Sequence, residues 1–161
     1  MTLQKQKSAQ QEDAKQPRQT HNIIKEKDIS VVQPKPPYLP KQVPGESKFT
    51  LVLDLDETLI HYFEMPLEGQ TEGGHFLIRP GARKFLKDMS KCYEVVIFTA
   101  AMQDYADWVL DALDTDRLIS YRLYRQHTHR TNHVFIKDLS FLGRDLSQCV
   151  IVDNVAANFQ N

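Results

Sequence analysis

Two cysteines, one tryptophan and six glycines are spread over 161 residues, with no apolar run of membrane-spanning length. So few cysteines exclude a disulfide scaffold. Cys92 and Cys149 both sit in apolar settings and predict reduced core residues in a reducing compartment. No transmembrane helix is expected in the chain. The first residues lack the hydrophobic centre of a secretory signal. Arg18, with Glu12 and Asp13 close by, makes a poor mitochondrial presequence. Nucleus or cytoplasm is the resulting expectation. A net charge of −1 leaves no basic surplus for nucleic-acid binding. No internal repeat or oligomerisation signal is visible, so a monomer is expected.

At 41% hydrophobic and 25% charged, the composition is that of an ordinary globular protein, and the length suits one domain. Charge and proline are uneven, however. Residues 1–48 carry nine Lys/Arg against five Asp/Glu, six of the eight prolines and eight glutamines. Their apolar content is limited to short pairs such as Ile23-Ile24 and Val31-Val32. Such a segment buries too little apolar surface to offset its ordering entropy, and a disordered basic arm is expected over 1–48. The proline run from Pro34 to Pro40 reads as extended, polyproline-like linker rather than a docking motif.

From Phe49 the pattern changes, and 49–161 reads as a folded domain. An apolar strand is expected over 49–55, then a loop over 60–75, a short strand at His75–Ile78, and a helix opened by Arg79-Pro80-Gly81. Phe85, Leu86, Met89 and Cys92 form that helix's apolar positions. Tyr93–Phe98 predicts a second buried strand. A helix over about 101–113 follows, with Met102, Tyr105, Trp108, Val109 and Leu113 on one stripe. Residues 118–136 alternate in a strand-like way around a polar loop, and Gln148–Val152 is a further strand. Strands alternating with helices predict a three-layer α/β/α fold with a mainly parallel central sheet.

Parallel strands bring their carboxyl ends to one edge, where open α/β sheets bind ligands. Asp54 and Asp56 close the first strand, two residues apart and so on one face. Thr99 closes the second, Lys137 follows Val134-Phe135-Ile136, and Asp153-Asn154 close the last. Singly these are ordinary helix caps, turn residues or solvated charges. Jointly they ring one pocket. Adjacent carboxylates repel and call for a cation or a shared proton.

Phosphoryl transfer from a monoester uses such a set. It needs a nucleophile, an acid that protonates the leaving oxygen and later activates water, a screening cation, and fixed donors on the phosphate oxygens. Asp54-Leu55-Asp56-Glu57-Thr58 resembles the DxDx(T/V) motif of the haloacid dehalogenase-like superfamily. Together with RPGARKFL, VVIFTAAMQDYADWVLDALD, FIKDLSFLGRDL and VIVDN, it resembles the FCP-homology, or NLI-interacting-factor-like, phosphatases over about residues 49–158.

That resemblance implies a Mg²⁺-dependent protein serine/threonine phosphatase, with the C-terminal domain of RNA polymerase II as the family's best-known substrate. It makes Asp54 the nucleophile and Asp56 the general acid/base. Thr99 and Lys137 would bind the phosphoryl group, Lys137 also holding Asp54. Asp54, the Asp56 carbonyl and Asn154 would bind Mg²⁺, with Asp153 in the first or second shell. Thr58 would be a structural donor, and 118–134 a small β insertion. A phosphopeptide is the expected partner, with no nucleic acid or membrane. Members of the family continue beyond the VDN block, whereas this chain ends at Asn161, so an incomplete C-terminus is expected.

Two other functions compete. A non-catalytic binding module of the same family would lack the intact acid pair. A small-molecule phosphatase would carry a cap domain, for which the stretch of about 15 residues after the first motif is too short. His127, His129 and His133 could be read as a zinc site, but their polar loop favours surface histidines. An EF-hand reading of Asp54–Glu57 fails for want of a glycine at the sixth position.

Overall fold

The computed structural model describes residues 33–43, 49–64, 74–131 and 134–159. Most of the arm, part of the expected loop after the first motif, and His133 lie outside these residues. Ten regular elements are described: β1 (Phe49–Leu53), β2 (Ile60–Phe63), β3 (His75–Ile78), α1 (Ala82–Met89), β4 (Tyr93–Phe98), α2 (Gln103–Leu113), β5 (Tyr121–Leu123), β6 (His129–Thr131), β7 (Val134–Ile136) and β8 (Cys149–Val152).

The central sheet has the order β5-β4-β1-β8, and every pair in it is parallel. Leu51 stands opposite Val95 on one side and Val150 on the other. This is the α/β class read from the sequence. Alternation along β1 divides the core. Leu51 and Leu53 face Leu86 of α1 and Val109, Leu110 and Leu113 of α2. Val52 faces the opposite way and joins Val96, Phe98 and Leu123 against Leu39 and Leu142. Both α-helices therefore lie on the Leu51 face. Among the described residues the other face is covered by a 3₁₀ turn at Leu139–Leu142 and the extended chain before the domain.

That last contact corrects the linker reading of Pro34–Pro40. Leu39 is 3% exposed, and the Tyr38 and Leu39 amides donate to the carbonyls of Phe141 and Leu142 at 2.8 and 3.2 Å. Apolar burial and two backbone hydrogen bonds outweigh what proline composition alone predicts. A clasp lies beside it. The Arg144 guanidinium donates twice to Glu94, at 2.7 and 2.9 Å, and once to the Pro40 carbonyl at 2.9 Å.

Other expectations are also revised. The loop expected from residue 60 begins with β2, which pairs antiparallel with β3. In α1 only Ala82 and Leu86 are buried, while Phe85 is exposed, and the helix ends before Cys92. Cys92 is exposed rather than a core residue. Met102 precedes α2 and is exposed, so it leaves the predicted stripe. The strand before Lys137 is β7, which pairs with β6 in a separate ribbon and not in the central sheet. Short strands carry too little pattern to reveal their partners. Among the described residues β8 is one edge strand of the sheet, with Val150 and Val152 exposed.

Leu39→Ala separates a packed segment from a linker. The variant should lose about 3 kcal/mol of stability, as a large-to-small core substitution does, read as a lower urea midpoint. An unchanged midpoint would restore the linker reading.

Candidate active site

β1 hands the chain to a tight turn. The amides of Thr58, Leu59 and Ile60 all point back to the Leu55 carbonyl, at 3.3, 2.9 and 3.2 Å. Glu57 adopts a left-handed conformation there, φ 60°, at a typical cost of about 1–2 kcal/mol. Arg79 holds the turn from outside, donating to the carbonyls of Thr58 and Glu57 at 2.7 and 2.9 Å. The turn sets Asp54 and Asp56 side by side at the carboxyl edge of the sheet.

Parallel pairing brings the other strand ends to that edge. Asp54, Asp56, Thr99 and Asn154 line one cavity of about 580 Å³, together with Arg125 and an apolar wall that includes Tyr62, Met102, Tyr105 and Trp108. Lys137 and Asp153 stand behind the cavity. The Lys137 ammonium, fully buried, lies 2.6 Å from Asp54 Oδ1 and 2.6 Å from Asp153 Oδ2. All six residues singled out in the sequence therefore meet at one address, four on the cavity wall and two beneath it.

The two acids are held differently. Asp54 is 6% exposed; Lys137 takes one of its oxygens and the Thr58 hydroxyl donates to the other at 3.2 Å. Thr58 is thus the structural donor expected. Asp56 accepts from the Tyr105 hydroxyl at 2.7 Å, and Thr99 also hydrogen-bonds it. Burial is the largest influence on both, pushing each carboxyl above the ordinary aspartate range. Lys137 opposes that rise at Asp54, and the Tyr105 hydrogen bond opposes it at Asp56. Thr99 is 1% exposed, and its Oγ1 accepts the Ala101 amide at 3.0 Å. Asp153 Oδ1 accepts the Val155 amide at 2.8 Å, which orders the loop carrying Asn154.

Arg125 and Tyr105 were missed as site residues. Arg125 lies two positions past the end of β5, the same strand-end address that marks the acids; its Nε donates to the Ala100 carbonyl at 2.6 Å. Tyr105 reads in sequence as one member of an apolar stripe, a pattern that explains its ring but not its hydroxyl. Of the three histidines read as a possible cluster, His133 lies outside the described residues. His127 Nδ1 accepts the Tyr124 amide at 3.0 Å, and the His129 ring packs edge-on against Phe141.

The NLI interacting factor-like phosphatase family matches residues 49–161. A probable C-terminal domain small phosphatase of Dictyostelium discoideum is 43% identical over 121 residues, covering 68% of this chain and 40% of the relative. The mouse carboxy-terminal domain RNA polymerase II polypeptide A small phosphatase 2 is 38% identical over 71% of this chain and 46% of its own length. The chain thus spans less than half the length of these relatives. Among solved structures, the fission yeast RNA polymerase II CTD phosphatase Fcp1 bound to beryllium fluoride superposes with a TM-score of 0.58 at 23% identity, over 70% of this chain and 38% of that one. That likeness establishes a shared fold. With the family match running from the first strand of the central sheet to the last residue, this chain belongs to the NLI interacting factor-like phosphatases.

Proposed function

We propose that the domain is a Mg²⁺-dependent phosphatase of phosphoserine and phosphothreonine proteins, working through a phosphoryl group carried on Asp54. The convergence of Asp54, Asp56, Thr99 and Arg125 on one cavity, with Lys137 paired to Asp54 behind it, carries this reading. The names of its relatives favour the C-terminal domain of RNA polymerase II, or another phosphoprotein, as substrate. The setting would be nucleus or cytoplasm, and no helix among the described residues is long and apolar enough to cross a membrane.

Asp54 attacks phosphorus, and the bond to the serine oxygen breaks as Asp56 gives that oxygen its proton. Asp56, now ionised, takes a proton from water; the water oxygen attacks phosphorus and frees Asp54 and inorganic phosphate. Lys137 keeps the Asp54 carboxylate in line through its 2.6 Å contact. Thr99 and Arg125 supply donors for the phosphoryl oxygens at the cavity wall. The aromatic wall of Tyr62, Tyr105 and Trp108 receives the peptide around the phosphorylated residue.

The donor chemistry suits Mg²⁺. No histidine or cysteine lines the cavity, so its donors are oxygens. Asp54, Asp56 and Asp153 bring three carboxyl groups together around one lysine, a crowding that a cation would relieve. Asp54, the Asp56 carbonyl and Asn154 would hold it, with Asp153 in support. When bound, it screens the repulsion between the phosphate dianion and the carboxylate nucleophile.

Purified protein with Mg²⁺ should hydrolyse aryl phosphates and phosphopeptides, and EDTA should abolish turnover reversibly. Asp54→Asn should remove turnover and phosphoryl labelling of the protein while leaving its circular dichroism unchanged. Labelling that survives in this variant would assign the nucleophile elsewhere.

The pH dependence follows from burial of Asp56. Its acid form persists above the ordinary aspartate range, so kcat/KM should be greatest at mildly acidic pH and fall as pH rises through the Asp56 value. A profile climbing to an alkaline plateau contradicts the assignment. Stability has the matching sign. A carboxyl whose folded-state value is raised contributes fully below its unfolded value, and that contribution is lost as pH rises through the folded one. Asp56→Asn without Mg²⁺ should therefore gain about 1 kcal/mol at neutral pH while losing activity, measured by thermal and urea unfolding.

A further inference from the structure

The geometry points to Tyr105 as a positioning residue for Asp56: its hydroxyl engages Oδ1 of the proposed acid and leaves Oδ2 to face the departing oxygen of the substrate. The inference rests on the phosphatase reading above and adds a residue to its machinery.

Three observations support it. The contact is short, 2.7 Å, and joins residues 49 positions apart, so it belongs to the tertiary structure rather than to a local turn. The ring is itself fixed. It meets the Tyr62 ring edge-on at 5.2 Å between centroids and lies 6.1 Å from Trp108, so the hydroxyl has one direction in which to point. The packing of Tyr105 would be served equally by phenylalanine. The hydroxyl is therefore surplus to the core and explained by Asp56.

The two acids also differ in what steadies them. Asp54 is locked by an ammonium on one oxygen and a hydroxyl on the other. Among the described residues Asp56 has no ion pair; Tyr105 and Thr99 are its side-chain partners, and it enters the turn where Glu57 is strained. Without an anchor its carboxyl is free to rotate, and either oxygen could carry the proton. A phenol held on Oδ1 breaks that symmetry. The phenol serves whether or not Asp56 is protonated, because an oxygen acceptor remains in both states. In the first half-reaction the Oδ2–H bond breaks, and its proton goes to the serine oxygen as the P–O bond opens. In the second, the same oxygen receives a proton from water.

A positioning role predicts a dependence on the leaving group that a packing role does not. Tyr105→Phe would be compared with wild type, both with Mg²⁺, on p-nitrophenyl phosphate, phenyl phosphate and a phosphoserine peptide. p-Nitrophenolate departs with little help from an acid, and the serine alkoxide needs it most. The variant should lose less than about twofold in kcat/KM on p-nitrophenyl phosphate and about tenfold or more on the phosphopeptide, with phenyl phosphate between. Added to Asp56→Asn, the same substitution should cost nothing further. Equal losses on all three substrates, or none, would overturn the positioning role while leaving the phosphatase reading intact. A wild type inert on all three would overturn that reading, and the inference with it.

Discussion

The structure turns on one buried ammonium. Lys137 lies 2.6 Å from both Asp54 and Asp153, with its own side chain sealed from solvent. An isolated charge at that depth would cost several kcal/mol, and the two flanking carboxylates offset that cost. The pairing binds three segments that are remote in sequence: the end of β1, the residue after β7 and the residue after β8. The Lys137 amide also donates to the Asn158 carbonyl at 2.6 Å, closing the last loop over the same point. Three strand ends are thus tied at one point.

Around this fixed point the two proposed catalytic acids are specialised by their neighbours. The one beside the ammonium is held by Lys137 on one oxygen and Thr58 on the other, which suits the proposed attack. The other takes its hydrogen bonds from the hydroxyls of Tyr105 and Thr99, which suits the proposed exchange of a proton. α2 contributes through both of its sides: Ala106, Val109, Leu110 and Leu113 seal the sheet, while Tyr105 reaches over the rim into the cavity. One helix therefore both packs against the sheet and lines the cavity.

Strand ends were the most legible feature of the sequence. Asp54, Thr99 and Asp153 each follow an apolar run, and parallel pairing alone suffices to gather them. The site residues without such a flag were harder to see. Arg125 follows β5, a strand of three residues whose pattern merges into the polar loop after it. The Tyr105 hydroxyl is invisible to helical periodicity, which registers only the ring. The Leu39 contact was obscured for another reason. Proline composition signals a chain that cannot form regular structure, and this segment forms none, yet extended chain can still seat one leucine and pair two amides against a 3₁₀ turn. Lys137 meets Asp54 although its strand belongs to a separate ribbon, because a long side chain reaches the edge from either arrangement.

The register of the central sheet dictates an order of assembly. β1 lies between β4 and β8, and its partner in β8 comes long after it in the sequence: Thr50 stands opposite Cys149. The Lys137–Asp54 contact spans 83 positions. On a ribosome, β1 and β4 can pair early, but one side of β1 stays unpaired until nearly all of this sequence has emerged. At the usual pace of about 5–20 residues per second, that interval lasts several seconds. Throughout it, an apolar strand with an open hydrogen-bonding edge is available to any other nascent chain. A site that waits on β8 in this way is therefore exposed to mispairing during synthesis to a degree that the paired sheet does not reveal.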